Sequence, residues 1–140
     1  MDATARRYYR AAQRRLAAAE ILLNQEGRSF NLDAVYLAGY TAECSLKALI
    51  VEATPREART AMAADISQGA RAHDFEYLMY IYRARCSGTV PRDVRECLTR
   101  VRSIWNADIR YDSRQIESAD AEAVIEAARA VLEWVEWKLP

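Results

Sequence analysis

Histidine is the scarcest reactive group in this chain of 140 residues, where His73 stands alone. Cysteine is scarce too, with Cys44, Cys86 and Cys97 forming an odd number at wide spacing. That pattern makes neither a disulfide framework nor a zinc signature. Only four glycines occur, and no glycine-rich phosphate loop is among them. These scarcities predict that the chain uses no metal and no cofactor.

The chain also lacks an excess of charge. Twenty basic and twenty acidic residues give a formal net charge of zero and a pI near 6.6, so nothing attracts nucleic acid or an anionic membrane to the molecule as a whole. No stretch approaches the roughly 18 uncharged apolar residues of a membrane span, and the N-terminus has no apolar signal core. We therefore expect no membrane contact and a location in the reducing cytoplasm, where free thiols persist.

What the sequence does have is a long apolar stretch from Asp33 to Glu52, DAVYLAGYTAECSLKALIVE. Its only internal charges are Glu43 and Lys47, which lie four apart and share one face of a helix. Such a helix belongs at the centre of a bundle. The pair is either an ordinary ion pair on a solvated edge or part of a buried structural polar network with a residue from another helix. Arg110 is the candidate for that third member.

Apolar residues at spacings of three and four predict helices along the remaining chain, and no strand pattern interrupts them. The chain is thus an all-α protein, with residues 1–140 as a single helical domain. Ser29 or Asn31 is the expected N-cap of the central helix. The other predicted helices run from residue 3 to about residue 26 with Gly27 as the stop, from Pro55 to Ala64, from about His73 to Cys86, from Pro91 onward, and from Ser118 or Ala119 to Lys138.

The first and last helices carry opposite charge. The first displays Arg6, Arg7, Arg10, Arg14 and Arg15 against a single early acid, and the last is acidic. The basic face is either solvated or paired within the chain, or it contacts RNA, in which case Arg6, Arg10 and Arg14 are the candidate binding residues. Complementary charges of this kind can pair within one bundle or across a dimer.

Apolar residues on the last helix cover more of its circumference than one core needs. Trp134 and Trp137 widen this surface, and large aromatic residues are favoured at buried interface centres. We therefore expect at least a dimer, with these two tryptophans in the interface.

Four segments in order resemble the HEPN domains, small helical bundles of prokaryotic defence and toxin–antitoxin systems. They are AAEILL at 18–23, DAVYLAGYTAECSLKALI at 33–50, HDFEYLM at 73–79 and WNADIRY at 105–111. The resemblance implies a bundle of four principal helices plus a short accessory helix, commonly paired into a dimer. Many HEPN proteins are metal-independent ribonucleases whose motif is an arginine followed, after four to six residues, by a histidine.

This chain departs from that motif. Arg110 aligns with the motif arginine, but Gln115, Ile116 and Glu117 stand where the histidine belongs. The only imidazole is that of His73, which no arginine precedes at the required spacing.

The resemblance therefore implies a non-catalytic binding or assembly module rather than an enzyme. Such a module acts as a homodimer or as a hetero-oligomer with a nucleotidyltransferase or defence effector, with RNA or a nucleotide as a further candidate ligand. The alternative is a divergent ribonuclease that uses Arg110, Tyr111 and His73 across the dimer.

Overall fold

A computed structural model of the chain describes residues 1–25 and 29–140, except for the side chains of Ala107 and Arg110. Within these residues the protein is all helical and has no strand, which confirms the all-α bundle. The helices in the described residues are α1 (Ala3–Leu23), α2 (Asn31–Ala53), α3 (Arg59–Asp65), α4 (Phe75–Cys86), α5 (Arg92–Ile104) and α6 (Ser118–Lys138), with 3₁₀ turns at Arg56–Ala58, Ala70–His73 and Ala107–Tyr111. The short accessory helix is α3, and the other five are longer.

Helix α2 is the centre of the bundle and packs against all five other helices. Small side chains let its neighbours approach closely: Ala38, Gly39, Ala42 and Ser45 are all buried. The Thr41 hydroxyl also donates a hydrogen bond to a carbonyl of α1, 3.3 Å away. Burial on all sides explains why this helix is apolar around its whole circumference.

Helix α2 is also long and apolar enough to cross a membrane by length and composition alone. That differs from the expectation that no stretch of the chain comes close to this limit. In the fold, however, 78% of its most apolar window is buried inside the protein, and Glu43 and Lys47 are buried as well. The core helix of a helical bundle has these properties without contacting lipid.

Two helices begin with the aspartate caps that suit helix N-termini. The Asp2 carboxylate accepts hydrogen bonds from the backbone N–H groups of Thr4 and Ala5, and the Asp74 carboxylate accepts two from the first turn of α4. Each cap satisfies backbone donors that the helix itself leaves without partners. Asp74 thereby fixes the start of α4 immediately after His73.

The N-cap of α2 differs from the predicted one. Phe30 occupies the N-cap of α2 and Glu117 that of α6, and neither side chain makes a capping bond. Instead, the Asn31 amide donates to the Ile116 carbonyl at 2.9 Å and to the Ser118 hydroxyl at 3.2 Å. These side chains thus join the starts of two helices rather than cap their own. The predicted stop at Gly27 lies outside the described residues.

Trp105 anchors the segment after α5 to the central helix. Its ring fills the space above Gly39, where an added Cβ would come within 2.2 Å of the indole. The ring stacks on Phe75 with centroids 5.3 Å apart, and its Nε1 donates to the Tyr36 carbonyl. Only glycine at position 39 allows this approach, which holds the 3₁₀ turn Ala107–Tyr111 beside α2.

Candidate functional site

Glu43, Lys47 and His73 form a polar cluster at the centre of the bundle. Glu43 is 3% exposed and Lys47 is 5% exposed. The Lys47 ammonium lies 2.7 Å from Glu43 Oε1, and His73 Nδ1 lies 2.9 Å from Glu43 Oε2. The Lys47 ammonium also lies 5.9 Å from the ring centroid of Tyr8 on α1. One carboxylate is therefore shared between two nitrogen groups, as a buried charge requires.

The hydrogen bond to Glu43 determines which nitrogen of the His73 ring carries the proton. An ionised carboxylate only accepts hydrogen bonds, so Nδ1 carries the proton and Nε2 keeps its lone pair when the ring is neutral. Tyr40 packs edge-on against the ring with centroids 6.0 Å apart. Nε2 makes no hydrogen bond with any residue in the described ranges, and 37% of the His73 side chain is exposed. The ring is thus oriented from the core while its free nitrogen is available.

A cleft of about 320 Å³ adjoins His73. Arg102 contributes a guanidinium group to the lining of the cleft. This group also forms an ion pair with Glu76 at 3.5 Å. Asp74 also lines the cleft, but its carboxylate accepts the capping hydrogen bonds of α4. The cleft therefore combines a proton acceptor with a cation. Its lining residues are Ala70, His73, Asp74, Phe75, Arg102, Trp105 and Asn106.

The structure adds His73 to the predicted polar network. Glu43 and Lys47 are buried rather than on a solvated edge, and the partner from another segment that the structure describes is His73. The Arg110 side chain lies outside the described part of the chain, so its membership of the network stays a prediction. The hydrogen-bond partner of His73, Glu43, lies thirty residues earlier in the chain.

Tyr111, a further candidate for ribonuclease chemistry, ends the 3₁₀ turn with 77% of its surface exposed and does not line the cleft beside His73. Gln115 and Glu117 are exposed, and the Ile116 carbonyl accepts the Asn31 amide. No imidazole accompanies the 105–111 segment at the position where the ribonuclease motif would put one.

A second feature is a shallow groove of about 510 Å³ on the outer face of α1, which we call the arginine groove. Within the described residues, no carboxylate lies within ion-pair distance of any of its five guanidinium groups. Sequence analysis identified the basic face but not a groove with alanines between the arginines. The lining residues are Ala3, Arg6, Arg7, Arg10, Ala11, Arg14 and Arg15.

The contacts between α1 and α6 explain why these arginines stay unpaired. An ion pair joins the two helices, with Glu20 Oε1 of α1 2.6 Å from Arg129 Nη2 of α6. The basic helix α1 thus supplies the acid of this pair, and the acidic helix α6 supplies the base. Arg129 also pairs with Glu126 on its own helix. Farther along, the Tyr9 hydroxyl donates to Glu136 at 2.8 Å. The bundle thus joins these helices without using the groove.

The two tryptophans of α6 differ in exposure. Trp137 is 88% exposed. Trp134 is partly buried and meets the ring of Tyr82 edge-on, with centroids 6.2 Å apart. A role for either residue in an interface stays a prediction, and Trp137 is the one that presents its full surface.

Cysteine and metal chemistry add no further site to the described residues. Burial raises the pKa of the Cys44 thiol to about 11, with the Glu43 charge as a second cause. A thiol of that pKa is a poor nucleophile near neutral pH. Within residues 1–25 and 29–140, no three His, Cys, Asp or Glu side chains come together as metal ligands would.

Comparison with protein families assigns nearly the whole chain to one family model. The family model described as "HEPN domain" matches residues 5–138, nearly the whole chain. The match thus includes the five arginines of the arginine groove, the cluster of Glu43, Lys47 and His73, and the last helix. No curated protein and no solved structure matches the chain.

Proposed function

The chain belongs to the HEPN domain family, and we propose that it is a non-catalytic binding and assembly module of that family. The arginine groove is the observation that carries the proposal. Arginine stays protonated at any pH a protein meets, so it binds anions but does not move protons. A surface built from arginine and alanine is therefore suited to binding and unsuited to acid–base catalysis.

The proposal includes a partner protein in a cytoplasmic defence or toxin–antitoxin type system, such as a nucleotidyltransferase or defence effector. The exposed Trp137 supports it, because a large aromatic side chain at 88% exposure offers an anchor for a second surface. A second copy of the chain is the simplest occupant. In that arrangement α6 serves assembly while α1 stays open for a ligand.

The Glu43–His73 pair favours the second candidate function, a divergent metal-independent ribonuclease. A carboxylate that orients an imidazole is a common arrangement for a general base. His73 Nε2 would accept the proton of a ribose 2′-hydroxyl while Arg102 holds the phosphate. The described part of the cleft offers no second imidazole to protonate the leaving oxygen, and this is why we rank the candidate second.

Incubation of the purified protein with total RNA and with tRNA distinguishes the two functions. We expect both RNAs to stay intact on a denaturing gel. The matched variant is His73→Asn, whose amide can still hydrogen-bond Glu43 but cannot accept a proton near neutral pH. Cleavage by the wild-type protein that disappears in His73→Asn would establish the ribonuclease and refute the binding module. An Arg110→Ala variant tests the motif arginine in the same assay.

A further inference from the structure

We propose that the arginine groove binds the phosphodiester backbone of a nucleic acid strand without reading its bases. This inference rests on the binding function proposed above and names its ligand. Arginine guanidinium groups match phosphate oxygens through paired N–H donors, and the groove has five of them with no acid of its own to satisfy them. The net charge of the whole chain is zero, so the attraction is confined to this face.

The groove works against the stability of the helix that carries it. Arg6, Arg10 and Arg14 follow one another at four-residue spacing, and like charges at that spacing repel. The first of them also lies near the N-terminal end of α1, where the helix dipole disfavours positive charge. Repulsion between these charges therefore works against folding, and this points to a ligand that supplies the missing negative charge.

The helix geometry arranges the arginines in two rows. Arg6, Arg10 and Arg14 form one ridge, with about 6 Å along the helix axis between successive members. At 100° per residue, Ala3, Arg7, Ala11 and Arg15 form the neighbouring row, in which alanine and arginine alternate. The small alanine side chains between the arginines of this row leave room for an extended chain of phosphates. The ligand would follow the axis of α1.

The composition of the groove favours a phosphate backbone over other anionic surfaces. Centres of protein interfaces are rich in aromatic and other large apolar residues, and the groove lining has none. A membrane-bound helix inserts an apolar face, but in α1 that face is buried in the bundle through Ala5, Ala12 and Ala19. No aromatic ring lines the groove for base stacking. Binding should therefore be independent of base sequence.

The test measures binding of fluorescent single-stranded oligonucleotides by polarisation over a series of salt concentrations. Two unrelated RNA sequences and the DNA equivalents of both are compared. Five phosphate contacts would give a slope of log affinity against log salt of about −3.5 for single strands. Removing three of them in Arg6→Gln/Arg10→Gln/Arg14→Gln should make the slope shallower by about 2 and weaken binding by roughly tenfold or more.

The charge-matched control is Arg83→Gln/Arg95→Gln/Arg100→Gln. These arginines are also exposed, but they lie on α4 and α5. We expect this variant to bind like the wild-type protein. An equal loss in both triple variants would show that net charge alone matters and would overturn the proposal. Thermal melting curves establish that both variants are folded.

Three further outcomes separate this inference from the proposed function. Bound and intact RNA supports both. Cleaved RNA refutes the non-catalytic function, whereas RNA that stays intact and unbound overturns only the groove as a nucleic acid site. Affinity that changes strongly between the two sequences, or binding of anionic vesicles or poly-glutamate in place of oligonucleotides, also overturns it.

Discussion

At the scale of single residues, Glu43 and Lys47 show which part of a polar network a sequence predicts and which part it does not. Two charges in an apolar helix predict a polar network, because a buried charge needs partners. The identity of the third member depends on a contact across thirty residues, between α2 and the turn before α4. No local pattern encodes that contact, although the only histidine of the chain and an acid in the middle of an apolar helix could have been paired from the sequence.

Lys47→Met should destabilise the protein by about 3–5 kcal/mol, because it leaves the Glu43 carboxylate buried without its main counter-charge. The double variant Glu43→Gln/Lys47→Met buries no charge, and its amide can still accept the bond from His73. We expect it to recover most of the lost stability. Chemical denaturation measures both free energies of unfolding. A cost below about 1 kcal/mol for Lys47→Met, in the range of a surface pair, would contradict the structural role of the cluster.

Cys44 should react slowly with iodoacetamide in the native protein. Its raised pKa of about 11 leaves only about a thousandth of the thiol as thiolate at pH 8, and the thiolate is the reactive form. The native rate should rise about tenfold with each pH unit and level off near pH 11. Mass spectrometry of the peptide that contains Cys44 follows the reaction, with urea-unfolded protein as the control. Equal rates in native and unfolded protein at pH 8 would refute the assignment.

At the scale of elements, hydrophobic spacing predicted the main helices to within a few residues, because each helix buries one face. Helix α2 was also recognisable as central, since it has almost no polar face. The caps of α2 and α6 were not predictable in the same way. Asn31 and Ser118 have the chemistry of N-caps, but they bond to each other across two helices. Tertiary contact outweighed local preference there.

Asn31→Ala should destabilise the bundle by about 1–2 kcal/mol, since Asn31 is 8% exposed and its loss leaves the Ile116 carbonyl without this donor. The matched control is Asn24→Ala, which removes an exposed amide bonded to a carbonyl one turn back on α1. We expect that control to lie within about 0.5 kcal/mol of the wild-type protein. Equal effects of the two substitutions on the denaturation midpoint would show that the α2–α6 connection carries no special stability.

At the scale of the whole molecule, a net charge of zero hides an uneven distribution. Five arginines lie together in the groove on one face of the protein. The ion pair between α1 and α6 uses an acid of α1 and a base of α6. Composition alone predicted no global attraction to nucleic acid, and only the contacts show which charges the fold leaves unpaired. A protein can thus be neutral overall and still hold a strongly basic surface, provided that its ion pairs are placed elsewhere.

The protein should sediment as a dimer of 15.9 kDa protomers at tens of micromolar, roughly the range where a weak homodimer still forms. The reason is Trp137, whose side chain is 88% exposed and would be covered in a dimer that uses the last helix.

Trp137→Ala should weaken association at least tenfold, as expected for an aromatic anchor that contributes about 1.4 kcal/mol or more. Tyr80→Ala, which removes an exposed aromatic from α4, should leave the dimer intact. Analytical ultracentrifugation over a concentration series measures all three proteins. A wild-type monomer throughout would refute the homodimer, and a Trp137→Ala protein that dimerises as tightly as the wild-type protein would place the interface away from the end of α6.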